Sequence, residues 1–404
     1  MRVYLLVMAI AAAATYLATP LAAELARVTR ATTPVRDRDV HTVPTPRLGG
    51  VAMFFGFVVA MVLASQMPFL AGVFERPNQA LGILAGAALV CLLGAADDVW
   101  DLDWLTKLAG QVLAAGVMAW QGVQLITFPV FGVTIGSSRL SLVATILVVV
   151  ICINAVNFVD GLDGLAAGLT AIGGGAFFVY TYLLTRDATP TDFSNVATLV
   201  LAALVGVCLG FLPHNFNPAR IFMGDSGAML LGLLVAAAAI IVTGQVGLGA
   251  ATRRVQFPAF LPILLPIAVL LLPLLDMALA VSRRVKAGSS PFKPDRLHMH
   301  HRLLELGHSH RRAVLIMYLW TAVFAFGASA LALFSTTTVL IAVGVGVVVA
   351  LVITALGRGK AELDASPNDA QDEPGAAVRT PRRRSDPEAA GSSQPGRDDD
   401  HEAE

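Results

Sequence analysis

Charged residues are scarce in this chain. Asp, Glu, Lys and Arg together make up 14% of its 404 residues, whereas soluble proteins carry about 25%. Hydrophobic residues make up 56% of the chain, so the composition excludes an ordinary soluble globular protein. It predicts instead an all-α protein that crosses the lipid bilayer many times.

Cysteine is rare as well. The three cysteines, Cys91, Cys152 and Cys208, lie inside apolar runs, which excludes a disulfide framework and a cysteine-based metal site. The net charge is zero, so no global positive field recruits nucleic acid. The chain also shows no convincing internal repeat, and this counts against an inverted-repeat transporter.

Long apolar runs dominate the sequence. A membrane-spanning helix needs about 20 apolar residues, and we count eleven runs of suitable length. The predicted spans are residues 3–24, 48–67, 79–96, 107–127, 139–158, 164–184, 195–213, 226–245, 259–281, 313–334 and 337–356. The run at 107–127 is the weakest, because Gln111, Gln121 and Gln124 interrupt it.

Lys and Arg are distributed unevenly between the predicted loops. Loops on the side that holds residues 25–47 contain fifteen of them, and loops on the opposite side contain six. Since cytoplasmic loops carry the excess of basic residues, we expect the N-terminus outside and the C-terminus in the cytoplasm. The small residues at 21–26 are also typical of a signal-peptide cleavage site. The asymmetry of the basic residues favours a retained first helix over a cleaved signal peptide.

The composition changes after the last predicted span. Residues 361–404 are rich in Pro, Gly, Ser, Asp and Glu, with twelve acidic residues and five arginines. Such a segment cannot bury enough apolar surface to fold. We therefore predict an integral membrane domain over residues 1–357 and a disordered cytoplasmic tail over residues 358–404.

Acidic residues gather at the ends of predicted spans. Asp97 and Asp98 end the third span, and their carboxylates suit Mg²⁺, which binds hard oxygen ligands together with substrate phosphates. Lys107 enters the next helix, near enough to pair with either acid or with a phosphate. The alternative is a solvated loop in which Trp100 and Trp104 anchor the membrane interface.

Polar residues recur every three positions at the end of the fifth span. Asn154, Asn157 and Asp160 share one helical face, and Asp163 can cap the next helix. A tight turn alone would explain the glycines beside Asp160 and Asp163. It would not explain two asparagines on one stripe of an apolar run, so a functional site is favoured.

The segment that leads into the eighth span carries a third motif. Gly224 and Gly227 permit close backbone approach. Asp225 or Ser226 can cap the helix, and a helix N-terminus favours phosphate. Phe222 either stacks on a base or sits at the membrane interface, and an ordinary capped helix start is the alternative for the whole motif.

A basic loop follows the ninth span. Residues 296–302 read Arg-Leu-His-Met-His-His-Arg, which fits contacts to a diphosphate better than zinc binding, because the loop has no cysteine and a single aspartate. The alternative is a cationic loop that touches lipid headgroups. With eleven spans, all four motifs fall on the cytoplasmic side, which indicates one site at the membrane surface.

These motifs, in this order, resemble those of the polyprenyl-phosphate N-acetylhexosamine-1-phosphate transferases. The resemblance rests on Asp97-Asp98, Asn154-x-x-Asn157-x-x-Asp160-Gly-Leu-Asp163-Gly, Phe222-Met-Gly-Asp225, His298-x-His300-His301 and the early Pro44-Thr-Pro-Arg-Leu-Gly-Gly50. It covers roughly residues 1–357. The motif His298-Met299-His300-His301 resembles that of the N-acetylglucosamine-1-phosphate branch. The phospho-MurNAc-pentapeptide branch usually has three consecutive histidines here, whereas this chain has Met299 between His298 and His300.

The resemblance implies a reaction at the cytoplasmic face of the plasma membrane. A polyprenyl phosphate, undecaprenyl or decaprenyl, attacks the β-phosphate of UDP-N-acetylglucosamine, giving the lipid-linked sugar diphosphate and UMP and starting a cell-wall or surface polymer. Mg²⁺ is the implied cofactor, with Mn²⁺ as an alternative. Phospho-MurNAc-pentapeptide transfer and secondary transport of an anionic solute are the competing functions, and a homodimer is left open.

The resemblance also implies roles for single residues. Asp225 is the chief Mg²⁺ ligand, helped by Asn157 or Asp98, and Asp97 orients or deprotonates the lipid phosphate. The resemblance further implies that Asp160 and Asp163 shape the nucleotide or metal site and that Lys107 neutralises charge. Phe222 would stack on uracil beside Asn215, and Asn154 would contact substrate. The diphosphate would be held by Arg296, His298, His300 and His301.

Overall fold

The computed structural model describes residues 1–33, 44–75, 77–125, 127–128, 133–134, 137–188, 194–245, 264, 267–286 and 299–356. This part of the chain is mostly helical, as predicted. Its helices are α1 Arg2–Val28, α2 Gly49–Ser65, α3 Ala71–Glu75, α4 Asn78–Trp100, α5 Trp104–Trp120, α6 Ser138–Val159, α7 Leu165–Ala188, α8 Val196–Asn215, α9 Gly224–Gln245, α10 Leu271–Lys286, α11 Met299–Glu305, α12 His310–Ala330 and α13 Thr336–Ala355. The predicted tail at 358–404 lies outside the described residues.

Short hairpins join some of the helices. Strand β1, Thr32–Thr33, pairs antiparallel with β2, Thr45–Pro46, and β3, Thr127–Phe128, pairs antiparallel with β4, Val133–Thr134. A 3-10 helix, Pro68–Leu70, precedes α3. The first hairpin delivers the chain to the start of α2, beside the candidate site.

Eight helices of the described part are long and apolar enough to cross a membrane, which confirms a polytopic membrane protein. They are α1, α4, α6, α7, α8, α9, α12 and α13, and each matches a predicted span. The second predicted span is α2, which forms a ninth candidate together with the segment 68–75 across a bend of 94°. The fourth is α5, with 17 residues, and α10 covers part of the ninth, whose start lies outside the description.

Helix α9 lies at the centre of the bundle. In its most apolar stretch 94% of the residues are buried, against 11% in α13, so α9 is surrounded while α13 lies at the periphery. Small residues permit this packing. A Cβ at Gly232 of α9 would lie 2.4 Å from the Cα of Ile153 on α6, which shows how closely the two backbones approach.

Gly50, at the start of α2, sets how closely α2 approaches α9. A Cβ at this position would lie 2.0 Å from the backbone nitrogen of Gly227, and a backbone atom cannot move aside as a flexible side chain can. We expect Gly50→Ala to push the two helices apart at a cost of about 1–3 kcal/mol or more, the range of overpacking. The thermal unfolding midpoint of the protein in detergent should fall.

Gly116→Ala is the matched control for this prediction. Gly116 lies inside α5, and a Cβ there would have nothing within 4 Å. Because alanine favours a helix over glycine, the midpoint of this variant should stay unchanged or rise slightly. Equal midpoints for the two variants would contradict the proposed close approach of α2 and α9.

Candidate functional site

In the described part of the chain, the ends of several helices meet at one end of the bundle. Helices α4, α6 and α8 end there, and α5, α7 and α9 begin there. The predicted acidic motifs lie on these ends. Side chains far apart in the sequence therefore become neighbours: Lys107 reaches Asp225 across 118 positions, and Asp98 reaches Asp225 across 127.

Lys107 joins two of the carboxylates. Its Nζ lies 2.6 Å from Oδ2 of Asp97 and 3.2 Å from Oδ2 of Asp225. Asp97 is held in place because its Oδ1 accepts a hydrogen bond of 2.8 Å from the backbone of Leu102. The lysine side chain keeps 26% of its surface exposed, so this cluster is open to a ligand on one side.

Asp98 has a different environment from Asp97. Its Oδ1 accepts from the backbone nitrogen of Asp225 at 3.0 Å, and its Oδ2 accepts from the backbone nitrogen and Oγ of Ser226 at 3.3 and 3.0 Å. The first amides of a helix lack intrahelical partners and favour negative charge. Asp98 of α4 therefore caps α9, a role that the sequence prediction gave to Asp225 or Ser226.

Pro46 and the first two residues of α2 form backbone hydrogen bonds with the residues just before α9. The backbone nitrogens of Gly49 and Gly50 donate to the carbonyl oxygens of Phe222 and Met223 at 3.0 and 2.8 Å, and Phe222 donates to the carbonyl oxygen of Pro46 at 2.8 Å. The early Pro- and Gly-rich motif is thus tied by backbone hydrogen bonds to the motif that carries Asp225.

Arg47 is a site residue that the sequence prediction missed. Gly224 has a φ of +68°, and a Cβ there would lie 2.1 Å from the carbonyl oxygen of Arg47, so Arg47 lies beside the start of α9. The guanidinium is near enough to act electrostatically on Asp98, Asp160 and Asp225. The sequence offered only a basic residue inside a Pro- and Gly-rich segment, which does not reveal what that residue contacts.

Asp163 and Asn215 hold two loops together. Oδ2 of Asp163 accepts from Nδ2 of Asn217 at 2.9 Å and from the backbone of Ala219 at 3.0 Å. Oδ1 of Asn215 accepts from the backbone of Gly164 at 3.0 Å, and its Nδ2 donates to a carbonyl oxygen at 2.9 Å. Both side chains are buried. These bonds position the turn beside the site, and direct contacts of Asp163 and Asn215 with substrate stay predictions.

Asp160 lies between α6 and α7 and is half-buried. Its pKa is raised to about 7, first by burial and then by the negative charges of Asp225 and Asp98, against the lowering effect of Arg47. A carboxyl group with this pKa changes protonation near neutral pH. An approaching cation would favour the ionised form of this carboxyl group.

The two asparagines of the α6 stripe differ in their contacts. Nδ2 of Asn154 donates to Oε1 of Gln111 and to the carbonyl oxygen of Val150, each at 2.8 Å. Asn154 therefore joins α6 to α5, and its predicted contact with substrate is not tested by these bonds. Asn157, one turn nearer the acids, and Phe222 are half-buried, as expected for side chains that line an accessible surface.

The basic loop is described only in part. Four of its predicted site residues have no described side chain: Arg296, His298, His300 and His301. Helix α11, which contains the last two, packs through Leu303 and Leu304 against a cluster that includes Leu162. Since Leu162 belongs to the turn between α6 and α7, α11 lies at the same end of the bundle as the acids.

The donor chemistry of Asp97 and Asp225 fits Mg²⁺. Both residues present carboxylate oxygens, and Mg²⁺ binds through one or two carboxylates together with substrate phosphates and water. Within the described ranges, no three His, Cys, Asp or Glu side chains are arranged to hold a metal ion. A cation here would therefore take further ligands from the substrate, and Mg²⁺ stays a prediction.

Comparison with known proteins gives one family model and three relatives of interest. Residues 80–243 match the model of Glycosyl transferase family 4. The decaprenyl-phosphate N-acetylglucosaminephosphotransferase of Mycobacterium leprae is 43% identical over 320 residues, which cover 78% of this chain and 80% of the relative. The protein of the same name from Mycobacterium tuberculosis (strain H37Rv) is 44% identical, with coverages of 78% and 79%. A phospho-N-acetylmuramoyl-pentapeptide-transferase of Desulforudis audaxviator is 32% identical over 229 residues, 52% of this chain and 66% of the relative.

Proposed function

The chain belongs to glycosyl transferase family 4, and we propose that it transfers N-acetylglucosamine 1-phosphate from UDP-N-acetylglucosamine to a polyprenyl phosphate. The observation that carries this proposal is its identity of 43–44%, over 79–80% of their length, to relatives named decaprenyl-phosphate N-acetylglucosaminephosphotransferase. The relative named for MurNAc-pentapeptide transfer is less similar and covers less of the chain, so N-acetylglucosamine is the proposed sugar.

The proposed membrane arrangement follows from the two substrates. A polyprenyl phosphate is anchored in the bilayer and a UDP-sugar is dissolved in the cytosol, so the reacting groups meet at the cytoplasmic surface. We infer eleven spans in the plasma membrane, with the N-terminus outside, the C-terminus in the cytoplasm and the acidic end of the bundle facing the cytoplasm. The excess of Lys and Arg in the loops on that side supports this orientation.

The proposed reaction is a phosphoryl transfer. An oxygen of the lipid phosphate attacks the β-phosphorus of the UDP-sugar, the bond from that phosphorus to the bridging oxygen breaks, and UMP leaves with the bonding electron pair. Such reactions depend mainly on positioning and on neutralising charge. A phosphate monoester has a second pKa of about 6, so Asp97 needs to orient the nucleophile and need not be a strong base.

The roles of the charged residues follow from their contacts. We propose Asp225 as the chief ligand of Mg²⁺, helped by Asn157, because the Asp225 carboxylate contacts Lys107 and is not the group that caps α9. The ion would neutralise the diphosphate charge. Lys107 holds Asp97 and Asp225 at a fixed separation and adds positive charge. Asp98, through its three bonds to α9, keeps Asp225 in place.

The remaining site residues are proposed to bind the uracil and the diphosphate of the UDP-sugar. Phe222 is proposed to stack on uracil. Its backbone is fixed by hydrogen bonds to Pro46 and Gly49, and its side chain is half-buried, which supports the proposal. His300 and His301 on α11, together with Arg296 and His298, are proposed to bind the diphosphate. The position of α11 beside the turn at Leu162 supports this assignment.

A donor panel tests the proposed function. Purified protein given polyprenyl phosphate, Mg²⁺ and UDP-N-acetylglucosamine with ¹⁴C in the sugar should form an organic-soluble product and release one UMP for each sugar transferred. UDP-MurNAc-pentapeptide should be a poor donor. A preparation that binds the nucleotide but makes neither product would contradict transferase activity, and faster turnover with the MurNAc donor would assign the chain to the other branch.

A further inference from the structure

We propose that Arg47 binds phosphate oxygens of the reactants at the start of α9, an inference that rests on the proposed function. Nothing in the relatives' names concerns this residue, and it lies outside the residues 80–243 that match the family model. The inference depends on where the backbone of Arg47 is held, on which positive groups near α9 are already engaged, and on the charge balance of the cluster.

The backbone of Arg47 is fixed on both sides. Its nitrogen donates to the carbonyl oxygen of Ala31 at 3.0 Å, the carbonyl oxygen of the preceding Pro46 accepts from Phe222 at 2.8 Å, and Gly49 donates back to Phe222 at 3.0 Å. Its carbonyl oxygen contacts Gly224, where no Cβ would fit. These backbone contacts alone hold Arg47 against Gly224, the residue that precedes Asp225.

Two of the backbone N–H groups at the N-terminus of α9, where the sequence predicted a preference for phosphate, already have an acceptor. A helix N-terminus binds phosphate through its free backbone N–H groups. Here the N–H groups of Asp225 and Ser226 donate to the carboxylate of Asp98, as does the hydroxyl of Ser226. Because these two N–H groups are engaged by Asp98, positive side chains become the main source of attraction for a phosphate at this point.

Of the residues that the structure describes, two cations are close to this point, and one of them is already paired with carboxylates. Lys107 lies within 3.2 Å of both Asp97 and Asp225. Among the described residues, no carboxylate lies within ion-pair distance of the guanidinium of Arg47, although three aspartates act on it at longer range. Arg47 is the cation whose five N–H donors remain available, and that planar group matches phosphate oxygens in pairs.

The charge balance favours the same assignment. Asp97, Asp98, Asp160 and Asp225 face Lys107 and Arg47, so the cluster has more acids than bases before any phosphate arrives. A diphosphate that enters adds negative charge, and each nearby cation then contributes directly to its binding. A purely structural Arg47 would instead offset the acids and contribute to folding.

Two variants with a matched control separate these roles. Arg47→Gln removes the charge and Arg47→Lys keeps it without the paired geometry, while Arg220→Gln changes an exposed arginine of the neighbouring loop. For each variant, kcat and the KM values for UDP-N-acetylglucosamine and for polyprenyl phosphate are measured, with binding of UDP alone and the thermal midpoint. We expect Arg47→Gln to raise one KM by about tenfold or more, Arg47→Lys to raise it less, and Arg220→Gln to behave as wild type.

The pattern of the changes identifies the group that is bound. A higher KM for the nucleotide sugar with weaker UDP binding assigns Arg47 to the donor diphosphate, and a higher KM for the lipid alone assigns it to the acceptor phosphate. Unchanged KM values, with or without a lower thermal midpoint, would overturn the proposal. If the wild type binds UDP and Arg47→Gln does not, but neither makes lipid-linked sugar, the transfer reaction fails while the assignment of Arg47 stands.

Discussion

Asp225→Asn is expected to abolish transfer while the fold persists. Asparagine has the same shape, so it can stay in place, and the backbone nitrogen of residue 225 can still donate to Asp98. The variant loses the negative charge that lies 3.2 Å from Lys107 and the proposed anionic ligand of Mg²⁺. We expect turnover to fall by at least about 1,000-fold, or roughly 4 kcal/mol in transition-state free energy, in the UMP-release assay at saturating Mg²⁺.

Asp101→Asn is the matched control for this variant. Asp101 is exposed and follows α4 with a φ of +54°, a conformation that asparagine adopts readily. The chemical change is the same, and the position lies at the same end of the bundle, so turnover should stay near that of wild type. Near-normal turnover of Asp225→Asn, with both variants folded, would remove Asp225 from the proposed metal site.

Asp98→Ala is expected to damage the fold as well as the activity. The substitution leaves the backbone nitrogens of Asp225 and Ser226 without their acceptor. It also removes one of the two acceptors near the hydroxyl of the buried Ser226, whose other neighbour is the carbonyl oxygen of Met223 at 3.2 Å. Loss of a helix cap together with buried unpaired donors costs roughly 2–4 kcal/mol. The thermal midpoint in detergent should fall clearly, and the remaining folded protein should turn over slowly because Asp225 is displaced.

Asp103→Ala provides the comparison for the capping role of Asp98. Asp103 caps α5 by accepting from Leu105 and Thr106 at 2.9 and 3.1 Å, but it is exposed, so water can replace it. The midpoint of this variant should fall much less. If Asp98→Ala kept its midpoint and lost only turnover, Asp98 would act on the reactants, as the sequence prediction proposed, and the cap would be a minor contribution.

The helices and their shared end were within reach of sequence reasoning. Apolar runs of sufficient length marked the spans that α1, α4 and α9 now occupy, and acids at the ends of such runs were recognisable because a carboxylate inside a bilayer is costly. The polar side chain of Gln111 weakened the prediction of the fourth membrane span, residues 107–127. In the structure it accepts a hydrogen bond from Asn154, which gives this polar residue a reason within the bundle.

The division of labour among the acids was beyond sequence reasoning. Asp97 and Asp98 are adjacent in the chain, yet one carboxylate pairs with Lys107 and the other caps α9. The difference arises because neighbouring residues on a helix point in different directions. Asp97 meets Lys107 in the next helix, whereas Asp98 meets residues 225 and 226, which are 127 and 128 positions away. Arg47 was missed for the same reason. Its place in the site depends on the contact between its carbonyl oxygen and Gly224, which is far away in the sequence.

The position of the label in the product tests the central claim most directly. UDP-N-acetylglucosamine carrying ³²P in its β-phosphate and ¹⁴C in its sugar is given to the purified protein with polyprenyl phosphate. Transfer of N-acetylglucosamine 1-phosphate predicts that both labels enter the organic phase in equal amounts and that unlabelled UMP appears in the water. A lipid product with ¹⁴C alone, accompanied by labelled UDP, or no lipid product at all, would contradict the proposed reaction.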